Sequence, residues 1–453
     1  MEPFQYHVYA CEQRKAEGAP SCTRNGSPGV IEALRRELAE QGLAGAVQVT
    51  GCGSLGLCER GPNMVVYPGG VWYSGVRSGD VPELVREHFR NGRIVERLRS
   101  GETTAVRREI DGNRQKMLGA LEARDRAGVL PDEFQHTLRG FQESRALLTA
   151  IELDLFTAVG GGADAGKVAL AMGTDPRATE ALLNALVAME LLEKRSGLFH
   201  NTALTARFLV AGAPDDSRAA LLHTVHLWPR WSTLTECVRR GTSAGYEEMD
   251  DRGAGWTEAF IAAMHRNAAF RAPLVARAIG LGDVRRMLDV GGGSGAYAIA
   301  FARENPRLEA DILDLLTVVP LAQEYVERAG LAGRVRTRVG DLRAGGFGAD
   351  YDLVLLSAVC HMNSPGENRA LLGRAFAALA PSGRVVIHDF ILEADKSGPR
   401  TGALFALNML VGTRAGSSYS GEEYAAWLVE AGFCDIRSVE LPGPTGLVIG
   451  RKG

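Results

Sequence analysis

The stretch Arg285–Pro306, RRMLDVGGGSGAYAIAFARENP, decides the fold of the larger part of this chain. Its pattern predicts a buried strand, a glycine-rich turn and a helix, in that order. Gly291, Gly293 and Gly295 let the backbone approach a ligand closely, and the amides that open the helix favour an anionic or polar group. Because such turns join strands to helices in open parallel sheets, the stretch predicts an α/β domain with a doubly wound sheet.

The glycine spacing alone does not determine which cofactor is bound. Gly291, Gly293 and Ala296 also satisfy the dinucleotide fingerprint G-x-G-x-x-G/A. Asp289, just before the turn, would repel a pyrophosphate but suits a cationic amino-acid sulfonium. The next strand, EADILD, ends in Asp314, where a carboxylate can accept both hydroxyls of a ribose, a feature that serves either cofactor.

The run D-x-G-x-G-x-G from Asp289 resembles that of class I S-adenosylmethionine-dependent methyltransferases, which have a Rossmann-like catalytic domain. The later strands, and the closing pair in CDIRSVELPGPTGLVIGRK, are typical of the same class. Residues 134–453 together resemble O-methyltransferases of the hydroxyindole and caffeate type, including bacterial natural-product enzymes. The resemblance implies S-adenosyl-L-methionine as cofactor, with Asp341 near the adenine amine and Leu342 against the ring. The cofactor-binding residues expected are Asp289, Gly291, Gly293, Asp314, Leu315, Asp341, Leu342 and Ser357.

The catalytic residues expected are His361 and Asp389. His361 follows the buried strand LLSAVC, at the sheet edge where open α/β sheets hold ligands, and it aligns with the catalytic histidine of the resembled family. That histidine normally begins a His-Asp-Trp run, whereas residues 361–363 are His-Met-Asn, so the surroundings of the base must differ. Asp389 stands where relatives carry an acid that orients the histidine, and Glu422 or Glu423 is a candidate second acid. The alternative is that His361 lines the pocket without taking a proton.

Other side chains are candidates for the wall of an acceptor pocket, although aromatic and sulfur side chains at helical spacing more often form core. His388, next to Asp389 on the same strand, is expected to face the opposite side of the sheet and to be structural. The pocket candidates are Trp228, Trp231, Phe260, Met264, Phe405 and Met409.

The middle of the chain, residues 134–270, is predicted to be helical. Two helices, a turn and a short ribbon at GLFH indicate a winged helix. DNA binding is disfavoured, because DPRATEALLNALVAMELLEK sets a single arginine between acids. The segments ELDLFTAV and NALVAMELLEK resemble the dimerisation domain of the same O-methyltransferases, and this resemblance implies a homodimer.

Residues 1–98 predict a separate α/β module of strand, helix, strand, hairpin and helix. Four of the chain's seven cysteines lie in its first 60 residues, in the order C-x10-C-x29-C-x5-C. The module resembles thioredoxin-like 2Fe-2S ferredoxins, and the resemblance implies that the cluster is bound by Cys11, Cys22, Cys52 and Cys58.

The spacing of the last two cysteines departs from that family, which usually separates them by three residues; Gly53 and Ser54 are the apparent insertion. Two alternatives to a 2Fe-2S cluster therefore stay open. A tetrathiolate zinc site fits the same residue types, and the thiols can also be buried side chains without a metal.

Length and composition set the outer limits. The 453 residues allow about three domains, and residues 99–133 form a polar, helical or mixed linker before domains at 134–270 and 271–453. The net charge of -3 comes without a basic tract, so nucleic acid is not an expected partner. Neither a signal pattern nor a membrane-spanning apolar stretch is apparent, and a cytoplasmic protein is expected.

The function expected is methyl transfer to the phenolic, enolic or hydroquinone hydroxyl of a small aromatic acceptor. The alternatives are C-methylation of a tetrapyrrole or other ring, and a regulatory or redox module that binds the donor without turnover. Methyl transfer needs no electrons, so the cluster is structural, serves an electron-transfer partner, or reduces a quinone acceptor before methylation.

Overall fold

The computed structural model describes residues 3–15, 20–247 and 253–453, and the chain divides into two compact units, residues 1–140 and 141–453. The elements that begin in the first unit are β1 Tyr6–Cys11, α1 Ser27–Glu40, β2 Val47–Cys52, β3 Asn63–Tyr67, β4 Val71–Ser74, α2 Val81–Leu84, which continues as a π-helical turn Val85–Arg90, α3 Thr103–Arg126 and α4 Asp132–Glu152.

The first unit has a mixed sheet with the strand order β2-β1-β3-β4. β1 and β2 are parallel and place Cys11 beside Cys52, whereas β3 is antiparallel to both β1 and β4. Helix α1 begins with Pro28 in its first turn and buries one apolar face, including Leu34 and Leu38, against the sheet. The predicted order of strand, helix, strand, hairpin and helix is confirmed.

Residues predicted as a helical or mixed linker contain the long helix α3. The three boundaries between the predicted segments stay predictions, because the division of the structure falls at residue 140, inside α4.

The second unit starts with a helical region whose α6, α7 and β5–β6 ribbon are the predicted two helices and turn. Asp164 and Asp175 cap α6 and α7 by accepting from backbone amides of the first turn. The elements of this region are α5 Leu155–Val159, α6 Ala165–Met172, α7 Pro176–Ala188, β5 Leu192–Arg195, β6 Leu198–Asn201, α8 Ala203–Phe208, α9 Arg218–Trp231, α10 Leu234–Arg240 and α11 Ala254–Ile279.

A seven-stranded sheet with the order β14-β15-β11-β10-β7-β8-β9 forms the centre of the second unit. Five strands from β9 to β11 are parallel, and β15 and β14 close the sheet as an antiparallel pair. The elements are β7 Arg286–Val290, α12 Ala296–Glu304, β8 Glu309–Asp314, α13 Val319–Arg328, β9 Val335–Val339, β10 Tyr351–Ser357, α14 Pro365–Ala378, β11 Leu379–Asp389, β12 Ile391–Leu392, α15 Arg400–Gly412, β13 Tyr419–Ser420, α16 Gly421–Glu430, β14 Phe433–Glu440 and β15 Gly446–Lys452.

Each face of this sheet is covered by its own apolar core. Alternate residues of a strand point to opposite faces, so Leu353 and Leu355 of β10 join the core beneath α11 and α12, while Val354 and Leu356 join the core beneath α14 and α16. This two-sided burial confirms the doubly wound sheet predicted from Arg285–Pro306, and it brings the carboxyl ends of the parallel strands to one edge. Within the described ranges, no helix is both long and apolar enough to cross a membrane.

Candidate active site

The glycine turn between β7 and α12 has the conformation that its sequence predicts. Gly291, Gly293 and Gly295 have φ values of +64°, +57° and +73°, in the left-handed region that favours glycine. A Cβ at Gly291 would lie 2.9 Å from Val359 Cγ2, and one at Gly295 would overlap Ile312. The turn therefore needs glycine for its backbone shape and for its close packing.

Asp289 is fully buried at the end of β7, and neither of its carboxylate oxygens has a hydrogen-bond partner in the described structure. Burial, reinforced by the charge of Asp314, raises the pKa of Asp289 to about 7, and the nearby N–H of Ala298 offsets this only in part. A buried carboxylate without a partner is costly, so a positively charged or donor group is expected to satisfy it.

Asp314 ends β8 beside the glycine turn. Its Oδ2 accepts from the backbone N–H of Gly293 at 2.7 Å, and its Oδ1 accepts from that of Leu315 at 2.8 Å. The carboxylate is thus held in one orientation at the carboxyl edge of the sheet.

The remaining predicted donor-site residues are spread along the same edge. Asp341 follows β9 and accepts from the backbone N–H of Arg343 at 2.8 Å. Leu342 packs against the apolar core and lies near Gly291. The hydroxyl of Ser357, at the end of β10, is 2.9 Å from His388 Nδ1.

His361 and Asp389 meet at the ends of neighbouring strands β10 and β11. His361 lies in a short 3-10 turn after β10 and is 6% exposed. Its Nδ1 is 2.6 Å from Asp389 Oδ1, and its backbone N–H donates to Asp389 Oδ2 at 3.1 Å. An ionised carboxylate only accepts hydrogen bonds, so Nδ1 carries the proton, and in the neutral ring Nε2 keeps its lone pair.

Asp389 is fully buried yet ionised more easily than usual. Burial opposes ionisation, but the charge and hydrogen bond of His361 and the N–H of Phe390 together lower the pKa of Asp389 below its ordinary value. Tyr424 adds a hydrogen bond from its hydroxyl to Asp389 Oδ2 at 3.2 Å. The carboxylate can therefore orient His361 while remaining charged.

The prediction of Glu422 or Glu423 as the second acid is wrong. Glu423 accepts from the backbone N–H of Ser420 in the capping box that starts α16 and pairs with Lys396 at 2.7 Å, and Glu422 is exposed in the same turn. The group that supports Asp389 from this helix is instead Tyr424.

The ring of His361 packs beside two phenylalanines. The rings of Phe390 and Phe405 stack with centroids 3.9 Å apart, and His361 meets Phe405 edge-on at 4.8 Å. Phe405 was predicted here, whereas Phe390 was missed. We call His361, Phe390 and Phe405 the aromatic corner, a set of rings against which another flat ring can pack favourably.

The other candidates for the acceptor pocket contact residues outside the aromatic corner. Trp231 donates from Nε1 to Asn408 Oδ1 at 3.0 Å, which links α9 to α15, and Met409 is buried. Phe260 stacks on Trp256 with centroids 5.1 Å apart, and Trp228 lies under the Arg145 guanidinium.

His388 is structural, as expected. Its Nδ1 lies 3.0 Å from Tyr297 Oη and its Nε2 2.9 Å from Thr445 Oγ1, on the face opposite Asp389. Burial lowers the pKa of His388 to about 4, so the ring is neutral at physiological pH.

Asn363, one of the two residues that replace the usual Asp and Trp after the histidine, has a structural role. Asn363 is buried, donates to Asn368 Oδ1 at 3.2 Å, and accepts at its carbonyl from the Tyr419 hydroxyl. Asn368 in turn donates to the carbonyl of Cys360 at 2.9 Å. These bonds fix the 3-10 turn that carries His361.

The four cysteines of the first unit come from β1, β2 and the loops beside them. Cys11 and Cys52 are neighbours across the parallel strands, and a hydrogen bond with Cys22 lowers the pKa of Cys11 to about 6 while raising that of Cys22. Cys58 lies 3.2 Å from the Ser54 hydroxyl. In the part of the chain that the structure describes, no three His, Cys, Asp or Glu side chains are grouped to hold one metal ion.

A parallel sheet closed by an antiparallel pair, with an acid before a glycine turn at its carboxyl edge, defines a class I methyltransferase. Comparison with family models gives the particular branch. Residues 231–434 match the O-methyltransferase domain, and residues 135–211 match the O-methyltransferase dimerisation domain.

Individual relatives support the same assignment. A 3-hydroxy-5-methyl-1-naphthoate 3-O-methyltransferase from Streptomyces sahachiroi is 37% identical over 321 residues, which are 69% of this chain and 93% of the relative. The tetracenomycin polyketide synthesis 8-O-methyl transferase TcmO of Streptomyces glaucescens is 30% identical, over 71% of this chain and 97% of its own. The solved structure of PigF with SAH is similar, with a TM-score of 0.65, 29% identity and coverage of 72% of this chain and 100% of PigF.

The chain therefore belongs to the O-methyltransferase family that has this dimerisation domain, and it is an S-adenosylmethionine-dependent O-methyltransferase. The dimerisation domain supports a homodimer. Both family matches begin after residue 134, so they do not include the cysteine-containing module.

Proposed function

We propose that this enzyme methylates a hydroxyl of a planar, fused-ring aromatic acceptor, with His361 as general base and Asp389 as the group that orients it. The observation that carries the proposal is the 2.6 Å contact between His361 Nδ1 and Asp389 Oδ1 beside two phenylalanine rings. A fused-ring acceptor is supported by two relatives, which are named as a naphthoate methyltransferase and a tetracenomycin methyltransferase.

The donor pocket fits S-adenosylmethionine by its own chemistry. Asp289 offers a buried carboxylate that has no hydrogen-bond partner among the described residues, and the left-handed glycine turn lets the backbone approach a ligand closely. We assign the ribose to Asp314 and the adenine edge to Asp341 and Leu342, with Leu315 and Ser357 at the rim. When bound, the donor supplies an electrophilic methyl group attached to a sulfonium.

The protein's part in the reaction is alignment and proton removal. The aromatic corner holds the acceptor ring flat, so that its hydroxyl points at the methyl group. Asp389 keeps the proton of His361 on Nδ1, and Nε2 takes the hydroxyl proton as the oxygen attacks. Positioning of this kind, together with a base, is what a simple displacement requires.

The test compares His361→Ala with His200→Ala, a histidine in the β6 ribbon, using labelled donor and a panel of naphthols and larger fused-ring phenols. Loss of His361 is expected to lower kcat by about 10²–10⁴-fold, with donor affinity unchanged by calorimetry. Full turnover by His361→Ala would refute the assignment of the base. Carbon-13 NMR of the product separates O-methyl from C-methyl products. The distinction matters because a similar protein from Streptomyces lavendulae is named an L-tyrosine C(3)-methyltransferase.

We further propose that the first unit is a thioredoxin-like ferredoxin module that binds a 2Fe-2S cluster through Cys11, Cys22, Cys52 and Cys58. The order β2-β1-β3-β4, with a parallel pair followed by an antiparallel hairpin, supports the resemblance. The thiol chemistry fits iron, Cys11 is hydrogen-bonded to Cys22, and Cys52 is the neighbour of Cys11 on the adjacent strand. Such a cluster supplies one-electron transfer.

Anaerobic purification tests this second proposal. A bound cluster is expected to give visible absorption and about two irons and two sulfides per chain, both lost in Cys11→Ser. A colourless protein that holds one zinc, or no metal, would overturn it. The Cys434→Ser variant, which changes the exposed cysteine of β14, is the matched control.

A further inference from the structure

Helix α3 has an apolar stripe that is packed at one end and exposed at the other. Val106 is buried, Ile110 packs where a Cβ on Gly56 would lie 2.9 Å from its Cγ2, and Asn113 donates to the Gly56 carbonyl at 2.9 Å. The stripe then continues into solvent at Met117 and Leu121 with 49% and 47% exposure. Spacings of four and three residues keep these positions on one helix face.

Helix α4 repeats the pattern in the opposite sense. Phe134, Leu138 and Phe141 follow spacings of four and three, and their exposures are 56%, 62% and 58%. Further along the same helix Leu148 is buried. Both helices therefore expose large apolar side chains in the parts next to the short segment that joins them.

Single exposed apolar residues are ordinary, but regularly spaced ones on consecutive helices mark an interaction surface. We define the apolar stripe as Met117, Leu118, Leu121, Phe134, Leu138 and Phe141. A stripe with coiled-coil spacing fits another helix better than it fits a small ligand or an extended peptide.

The dimerisation domain indicates which helix covers it. That match begins at residue 135, so the exposed Leu138 and Phe141 belong to the domain that joins two subunits in this family. Met117, Leu118 and Leu121 of α3 lie before the match. In a two-fold dimer the same surface occurs on both chains, so a stripe of this kind can cover its own copy.

We propose that the apolar stripe is covered by the same stripe of a second copy of this chain, so that the dimer interface extends from the dimerisation domain onto α3. Because Ile110 and Asn113 hold α3 against the loop between Cys52 and Cys58, this interface anchors the cysteine-containing module as part of the dimer.

Subunit exchange tests the proposal on the full-length protein. Two preparations with different fluorophores are mixed, and the exchange rate is followed by energy transfer. Met117→Glu with Leu121→Glu is expected to raise the exchange rate at least tenfold, whereas Gln115→Glu with Ala123→Glu is expected to leave it within twofold. The control introduces the same two charges into the same helix, on exposed positions outside the stripe. Equal rates for both variants, or a monomeric unmodified protein, would overturn the proposal.

A second measurement does not depend on how well the charged variant folds. A photoreactive phenylalanine analogue replaces Leu118 in co-expressed chains, half of them isotopically heavy. Cross-links between a heavy and a light chain, joining segments within residues 103–141, are expected by mass spectrometry. Cross-links confined to a single chain would show that the chain covers its own apolar stripe. Cross-links to an unrelated protein would show that a different partner covers it. Either result would refute the dimer contact.

Discussion

Asp389 decides which nitrogen of His361 can act as a base. Its Oδ1 accepts from the backbone N–H of Phe390 as well as from the ring, and its Oδ2 accepts from the backbone N–H of His361. An amide has one oxygen for these donors, so Asp389→Asn is expected to misplace either the ring or its proton. We predict a fall in kcat of about 10²–10⁴-fold, measured by steady-state kinetics, with donor affinity unchanged.

The control for this prediction is Glu422→Gln, which removes the same charge from an exposed position in the first turn of α16. It is expected to keep kcat within twofold. An Asp389→Asn enzyme with more than a tenth of the normal kcat would contradict the orienting role.

Asp289 links donor binding to stability and pH. The pKa of Asp289 in the folded protein, about 7, lies above the ordinary value of 3.8. The protonated carboxyl therefore contributes to the free energy of unfolding in full below pH 4, and this contribution is lost as the pH rises through 7. Without donor, the loss is at most on the order of 4 kcal/mol at pH 8. The pH dependence of unfolding between pH 5 and 8 should therefore shrink in Asp289→Asn.

Donor affinity should change in the opposite direction. A sulfonium is held best by the ionised carboxylate, so calorimetry is expected to show tighter binding as the pH rises from 6 to 8. In Asp289→Asn the affinity at pH 8 should fall at least tenfold and its pH dependence should flatten. Donor binding that is unaffected by this substitution would remove Asp289 from the pocket.

The side chains missed from the sequence share a physical cause. An acid is the usual partner of a catalytic histidine, so the sequence pointed to the carboxylates of Glu422 and Glu423 as neighbours of His361. Helix capping takes Glu423, since the first turn of α16 needs acceptors for its amides. Tyr424 follows immediately, but the strength of a tyrosine as a buried donor depends on three-dimensional packing that periodicity does not reveal.

Among the elements, the glycine turn is the one that sequence predicted in most detail. Gly295 combines φ of +73° with a backbone position where a Cβ would meet Ile312. Gly295→Ala is therefore expected to lower the free energy of unfolding by about 1–3 kcal/mol and to weaken donor binding, as measured by urea denaturation and calorimetry.

Gly366→Ala is the matched control, because Gly366 lies in the first turn of α14 with open space where its Cβ would be and without a positive φ. A helical alanine there is expected to be neutral or to stabilise by up to about 1 kcal/mol. Equal destabilisation by both substitutions would show that the turn has no special need for glycine.

The strands of the large sheet were predictable because each is a short apolar run between turn residues, and two-sided burial requires such a run. The apolar stripe on α3 was not predictable from the sequence, because the polar composition of this segment predicted a linker. Periodic apolar positions at 106, 110, 117 and 121 are present in that segment, but they are diluted by charged residues, and only the structure shows which of them are packed. A long helix between domains is stabilised by what it contacts rather than by its overall hydropathy.

For the whole molecule, we expect that methyl transfer does not need the cysteine-containing module, because the residues assigned to the reaction all lie in the second unit. Every residue assigned to the donor pocket, the base and the aromatic corner lies within 289–405, and two relatives are matched over 93% and 97% of their lengths by about 70% of this chain. A chain that begins at residue 132, the start of α4, is expected to keep kcat/KM within about tenfold of the full enzyme, while losing any visible absorption and exchanging subunits faster.

The companion measurement uses full-length protein in which the four cysteines are changed to serine, since this variant lacks the thiols but keeps α3. The cysteines changed are Cys11, Cys22, Cys52 and Cys58. If both proteins bind the donor normally yet fail to methylate, the module takes part in the reaction itself and the division of labour drawn here is wrong.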